Sequence, residues 1–226
     1  MKAKQSMDLF GEALSAYAQG YRSPFYLKDS SGELFKTDLS KYFRKPNQIS
    51  RLERNLISLA HGDILDIGCG TGNYIPLLAR RGRVIGIDIS PTVIDVAKKN
   101  GCKKCRVADI FSFPTTKKYD TITFLGNNLG IGGTVNKTRK LLTKLSSLMK
   151  NDGQILAIAR RVVHKRFVSV QLRPVWKGQV GARFDWIHMS RDFISELCDK
   201  TDFRLTVVQG NQHYYLFRIV KKPLSV

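Results

Sequence analysis

The chain has 226 residues, enough for one substantial core, and 42% apolar and 10% aromatic content fits a folded protein rather than a disordered one. No apolar run approaches the roughly 18 residues of a membrane span, and Met1 to Ser6 lacks the apolar stretch of a secretion signal, so a cytoplasmic protein without membrane partners is expected. With 38 Lys and Arg against 18 Asp and Glu, the net charge of +20 draws polyanions electrostatically, although no recognised nucleic-acid module accompanies it.

In chain order, residues 7 to 20 carry Leu9, Phe10, Ala13, Leu14, Tyr17 and Ala18 at helical spacing, with Gly20 as the stop. Pro24 to Asp38 is turn-rich, and Asp29-Ser30-Ser31-Gly32 reads as a hairpin-like loop. Asn47 or Ser50 can cap a helix running to about Ala60. From Asp63 onward, short apolar runs at 64–67, 84–88, 105–108, 120–125 and 154–159 alternate with helical stretches near 73–81, 91–99 and 135–149. This alternation predicts an α/β fold: a parallel sheet with helices on both faces and ligands held along the edge where the strand C-termini gather.

After Arg160 the pattern changes to extended runs at 167–172 and 182–188, a basic and aromatic β excursion that contains Trp176 and Trp186. A helix over 191–200 with Ser190 as its cap precedes two strands near 203–209 and 213–220, joined by the hairpin-like Gln209-Gly-Asn-Gln. Cys102-Lys-Lys-Cys105 has ligand-like spacing, yet a structural zinc site needs four ligands and no second pair is present. All four cysteines are therefore read as reduced, and no metal site is expected. His164, His188 and His213 have no metal spacing either, and none is assigned as a general base.

The most informative segment is Ile64-Leu-Asp-Ile-Gly-Cys-Gly-Thr-Gly-Asn73, followed by Asp88 at the end of the next apolar run. Glycines at 68, 70 and 72 allow a tight turn and close backbone approach, and the later carboxylate can accept hydrogen bonds from ribose hydroxyls. In a nicotinamide-binding turn a third glycine would stand where Asn73 stands. Asp66, two residues before the first glycine, is poorly suited to a pyrophosphate and well suited to a cofactor with a cationic amino group. S-adenosylmethionine meets that description.

The same decapeptide resembles the glycine motif of class I S-adenosylmethionine-dependent methyltransferases. Val84 to Ser90, Val107-Ala-Asp-Ile110, Tyr119 to Leu125 and Leu148 to Leu156 resemble the family's following segments, in order and at normal spacing. Leu125-Gly-Asn-Asn-Leu-Gly130, Ser23-Pro-Phe-Tyr26 and Phe184-Asp-Trp further resemble a bacterial and archaeal branch known only as methyltransferase-domain proteins. The resemblance implies a Rossmann-like, doubly wound, seven-stranded sheet whose last strand is antiparallel. With it come an N-terminal helical lid over residues 1–45, a cofactor-binding domain over 46–226, and a substrate-side insertion at about 161–189.

By that resemblance the cofactor residues are Asp66, Gly68, Cys69, Gly70, Gly72, Asp88, Ile89, Asp109, Ile110, Leu125 and Gly126. Asp66 would reach the amino group, Asp88 the ribose and Asp109 the adenine. Asn127 and Asn128 follow the fourth strand, where the family places residues facing the reacting methyl, so they are the candidates for catalysis; a plain glycine-rich turn is the competing reading. Tyr21, Tyr26, Trp176, Arg183 and Trp186 are the candidates for the substrate side, with ordinary packing as their alternative. A small-molecule acceptor is expected; a nucleic-acid acceptor, or a binding protein without turnover, is the alternative.

Overall fold

The computed structural model describes residues 2–223. Strands β3 (Gly62–Ile67), β4 (Gly82–Asp88), β5 (Cys105–Val107), β6 (Tyr119–Phe124) and β7 (Met149–Arg160) are mutually parallel. With β11 (Phe203–Gly210) and β12 (Tyr214–Lys221) they form a seven-stranded sheet in the order β11-β12-β7-β6-β3-β4-β5. β12 is antiparallel to both of its neighbours, as expected.

Successive side chains on a strand point to opposite faces, so each apolar run supplies two cores. Leu65, Ile67, Ile122, Phe124 and Ile155 face α5 (Val135–Leu148) and α6 (Arg191–Asp199). Ile64, Val84, Leu156 and Ile158 face α2 (Arg51–Leu59), α3 (Ile75–Leu78) and α4 (Pro91–Lys99). Burying each such side chain contributes about 1.5–3 kcal/mol, which is why the near-continuous apolar strands specify the doubly wound arrangement. Ser50 starts α2 through a capping box with Glu53, and Ser190 caps α6.

Several expectations need correction. α3 spans only Ile75–Leu78 rather than 73–81: the glycine turn runs on through Tyr74, Pro76 stands in the first turn, and Gly82 already belongs to β4. β7 begins at Met149, five residues earlier than expected. Cys102 and Cys105 are not free thiols but a disulfide, their Cα atoms 5.9 Å apart across the turn from α4 into β5; Cys69 and Cys198 are free and buried.

The N-terminal segment also differs from a helical lid. Helix α1 (Lys2–Ala18) buries Leu9, Phe10, Ala13 and Leu14, and packs so closely on α4 that a Cβ at Gly11 would lie 2.6 Å from Thr92 Cβ. The hairpin β1 (Phe25–Lys28) and β2 (Leu34–Thr37) turns where Asp29 Oδ1 accepts from Ser31 N and Glu33 N. β1 then pairs with β8 (Phe167–Trp176), Phe25 opposite Trp176. Beyond β8 lies β10 (Phe184–Met189), while β9 (Gln179–Val180) pairs on β8 as well. The N-terminal segment and the excursion after β7 therefore form one five-stranded antiparallel sheet. Strand pairing between residues about 150 positions apart leaves no local trace in sequence.

Candidate active site at the strand C-termini

The loop after β3 is shaped by three glycines at φ +72°, +55° and +76° (Gly68, Gly70 and Gly72), the left-handed region that other residues enter at a cost. Gly68 N and Cys69 N both donate to Ile87 O, at 2.9 and 3.0 Å, which sews the turn onto the end of β4. Cys69 also accepts from Gly72 N and buries its thiol, so it shapes the turn; burial pushes that thiol well above its ordinary range. The Cys102–Cys105 disulfide packs beneath: a Cβ at Gly72 would lie 2.7 Å from Cys102 Cβ.

Two buried carboxylates flank the loop. Asp66 is 1% exposed; its Oδ1 accepts from Thr123 Oγ1 at 2.7 Å, and its Oδ2 has no partner. Burial pushes its carboxyl up to about 7, with the Asp88 charge adding to the effect and the Thr123 bond opposing it. Asp88 accepts from Gly70 N and Ser90 N, both at 3.1 Å; burial raises its carboxyl, and those backbone bonds counter the rise. Its remaining lone pairs are open to further donors. Beside the loop stands Tyr42, whose ring lies 3.6 Å from where a Gly70 Cβ would be. Burial and the Asp88 charge push its phenol up to about 12.

The other predicted residues fall along the same edge with unequal roles. Ile89 is half-buried beyond Asp88. Asp109 follows β5 next to Asp88, whose carbonyl accepts from Ala108 N, and its Oδ1 caps the short turn Ile110–Ser112 by accepting from Phe111 N. Ile110 and Leu125 turn into the two cores instead of toward the edge, and Gly126 is exposed at φ +64°.

After β6, Asn128 Nδ2 donates to Gly68 O at 2.8 Å and Ile67 O at 3.3 Å, so Asn128 clamps the glycine loop. Asn127 adopts φ +71°, ψ 21°; its Oδ1 accepts from Arg160 N at 2.7 Å, and its Nδ2 lies 3.3 Å from His188 Nδ1. Of the substrate-side candidates, Trp186 is brought to this edge, its indole nitrogen 2.3 Å from where a Gly130 Cβ would be. Trp176 is buried with Phe10 and Phe25 between α1 and the small sheet, and so is core. Tyr21 is exposed under Lys177, which also lies over the Trp176 ring. Tyr26 is half-buried on β1, and Arg183 is exposed, donating to Gln171 Oε1 at 3.0 Å.

Sequence reasoning missed Tyr42, Thr123 and His188. Tyr42 and His188 lie outside every motif, and Thr123 reads as an ordinary strand residue. It also missed the ion pair of Arg44 with Glu53, at 2.6 Å, which holds the segment carrying Tyr42 to α2. Beside the edge, a cleft of about 620 Å³ runs between Arg161–Arg166 and the first turns of α6. Among the described residues no helix is long and apolar enough to cross a membrane.

Residues 64–153 match the family model for a methyltransferase domain. Over 109 residues the chain is 36% identical to a malonyl-[acyl-carrier protein] O-methyltransferase of Acetivibrio thermocellus, a match covering 44% of this chain and 36% of that protein. A putative protein N5-glutamine methyltransferase of Methanocaldococcus jannaschii is 33% identical over 81 residues, 32% of this chain and 40% of its own length. The chain thus spans well under half the length of these curated relatives.

In overall shape the chain is similar to an S-adenosylmethionine-dependent methyltransferase from Bacteroides fragilis in complex with S-adenosyl-L-homocysteine. The TM-score is 0.86 at 24% identity, covering 96% of both chains. It is also similar to an amino pentose methyltransferase from Micromonospora echinaspora, at TM-score 0.60 and 15% identity over 84% of this chain and 99% of that one. The domain match falls on the glycine loop and the strands that position it, and the sheet order follows the same plan. Residues 64–153 are thus a methyltransferase domain, set in a fold that the chain shares with S-adenosylmethionine-dependent methyltransferases.

Proposed function

We propose that this protein binds S-adenosylmethionine and transfers its methyl group to a small-molecule acceptor. The observation that carries the reading is the partnerless Oδ2 of Asp66, buried beside the glycine loop. A buried acceptor without a donor is costly unless a ligand supplies one. A cationic amino group suits a carboxylate that burial otherwise holds near neutrality. The solved relatives with this fold carry S-adenosylmethionine or S-adenosyl-L-homocysteine.

In this reading Asp66 holds the amino group directly or through water, Gly68, Gly70 and Gly72 give close backbone approach, and Asp88 takes the ribose hydroxyls. Asp109 keeps one carboxylate oxygen for the adenine amino group, and Ile89 packs on the ring. The cofactor supplies an already activated methyl group on a sulfonium, so alignment and exclusion of water are the main tasks left to the protein. The β1–β2 hairpin and the excursion at 161–189, joined in one sheet, would select the acceptor.

The net charge of +20, and Arg161, Lys165, Arg166 and Arg191 around the neighbouring cleft, favour RNA as a second reading. Incubation with methyl-labelled cofactor and separate pools of host metabolites, RNA and protein tests both. Label in metabolites supports the first reading and label in RNA the second. No label in any pool, together with no binding of S-adenosyl-L-homocysteine by calorimetry, overturns both.

A further inference from the structure

His188 is not used by the cofactor reading, yet it meets Asn127 at the point where β6 ends. Asn127 is held in the left-handed region, which Asn tolerates better than most residues. Its amide orientation is fixed from outside: Oδ1 accepts from Arg160 N at 2.7 Å, and only the oxygen of the amide can do so. The NH2 group therefore faces His188 Nδ1, at 3.3 Å. An amide NH2 only donates, so Nδ1 must offer its lone pair and the ring proton must sit on Nε2. The reverse tautomer, or the imidazolium, would set N–H against N–H. Burial holds the imidazole below its ordinary range, and the positive charge of Arg160 adds to this, which favours the neutral ring.

The surroundings state what that N–H would meet. On β10 the side chains of Phe184, Trp186 and His188 alternate onto one face, opposite Leu172, Val170 and Val168 of β8. All six are half-buried, and Trp186 closes against Gly130. Among the described residues Nε2 makes no hydrogen bond, so it is a lone donor in an apolar wall. Pockets for small molecules have this composition: apolar lining with a few polar groups that fix orientation.

We propose that His188, its tautomer set by Asn127, donates Nε2–H to an anionic or carbonyl oxygen on an otherwise apolar methyl acceptor. This rests on the methyltransferase reading and sharpens its acceptor. His188 orients the acceptor and does not take a proton at Nε2, because that atom already carries one. Asn127 is a positioning residue that acts through His188. Arg160 favours an oxygen with negative charge over a neutral one.

The test is nitrogen NMR of protein labelled with 15N-histidine at pH 7.5, with His188→Gln identifying the His188 signals. Wild type should show the Nε2–H tautomer. Asn127→Asp presents only acceptors and should move the proton to Nδ1. Benzoate should shift the His188 Nε2 signal, benzylammonium should not, and His188→Phe should weaken benzoate binding roughly tenfold, the value of one hydrogen bond to a charged group. A wild-type Nδ1–H tautomer or imidazolium, or no response to saturating benzoate, overturns the proposal. Calorimetry with S-adenosyl-L-homocysteine on the same sample separates the two ideas. Binding with the wrong tautomer sinks only this one, whereas absent binding sinks the methyltransferase reading.

Discussion

Asp66 and Thr123 are direct partners across the parallel β3–β6 pair, and Thr123 donates to one carboxylate oxygen while the other stays buried and unpaired. The ordinary value of an aspartate is 3.8, and burial pushes this carboxyl up to about 7. Between those values the folded protein binds the extra proton. Its contribution to stability is thus fully present below 3.8 and is lost as pH rises through about 7.

Asp66→Asn removes that charge. The variant should melt higher than wild type at pH 8 without ligand, and their difference should shrink toward pH 5. Its affinity for S-adenosyl-L-homocysteine should be weaker and nearly flat with pH, while wild-type affinity rises from pH 6 to 8. Thermal melts and calorimetry across that range decide the matter. A variant that binds as tightly as wild type at pH 8 would remove Asp66 from the site.

Asp88 accepts from Gly70 N and Ser90 N, and its remaining lone pairs are the ones proposed for the ribose hydroxyls. Asp88→Ala should lower cofactor affinity at least tenfold and cost about 1–3 kcal/mol through the two buried N–H groups left unpaired. Asp88→Asn, which retains one acceptor oxygen, should fall between them. Unchanged affinity in the alanine variant by calorimetry would sink the assignment.

Gly68 and Gly126 both have positive φ, but only Gly68 is crowded: a Cβ there would lie 2.5 Å from Asn128 Nδ2, whereas at Gly126 the nearest atom is 4.0 Å away. Gly126→Ala should cost about 1–2 kcal/mol for the backbone alone. Gly68→Ala should cost more and should also weaken cofactor binding, because it pushes Asn128 off the loop. Urea unfolding of the two variants gives the comparison, and equal costs would show that Asn128 does not clamp the turn.

Cys102 and Cys105 sit against Gly72, so the disulfide braces the glycine loop from below. Closing so small a ring stabilises by about 2 kcal/mol in the chain-entropy model. Cys102→Ser should lower the melting temperature by several degrees and reduce cofactor affinity modestly. Alkylation in denaturant, without reductant, should label only Cys69 and Cys198 in wild type. Labelling of all four would return Cys102 and Cys105 to free thiols.

The glycine loop and its two neighbouring carboxylates were legible because their signals are local. Three glycines, a carboxylate at a strand end and a second carboxylate one crossover later all lie within residues 66–88, and the apolar runs on either side have the period of buried strands. The acceptor side was not legible in this way. Trp176 and Trp186 are alike as letters in a basic stretch, yet one fills the contact between α1 and the small sheet and the other reaches Gly130. His188 carried no motif, and its meaning comes from Asn127, 61 positions away.

By itself, then, the sequence determined the doubly wound sheet, the glycine turn and the kind of cofactor the turn suits, because burial periodicity and backbone freedom are properties of neighbouring residues. Only the tertiary structure decided that the N-terminal hairpin and the excursion after β7 are one sheet, that two cysteines are joined under the loop, and that Asn128 clamps while Asn127 meets a histidine. Those are contacts between distant segments. Their energies depend on which faces the core brings together, and no single stretch of chain records that.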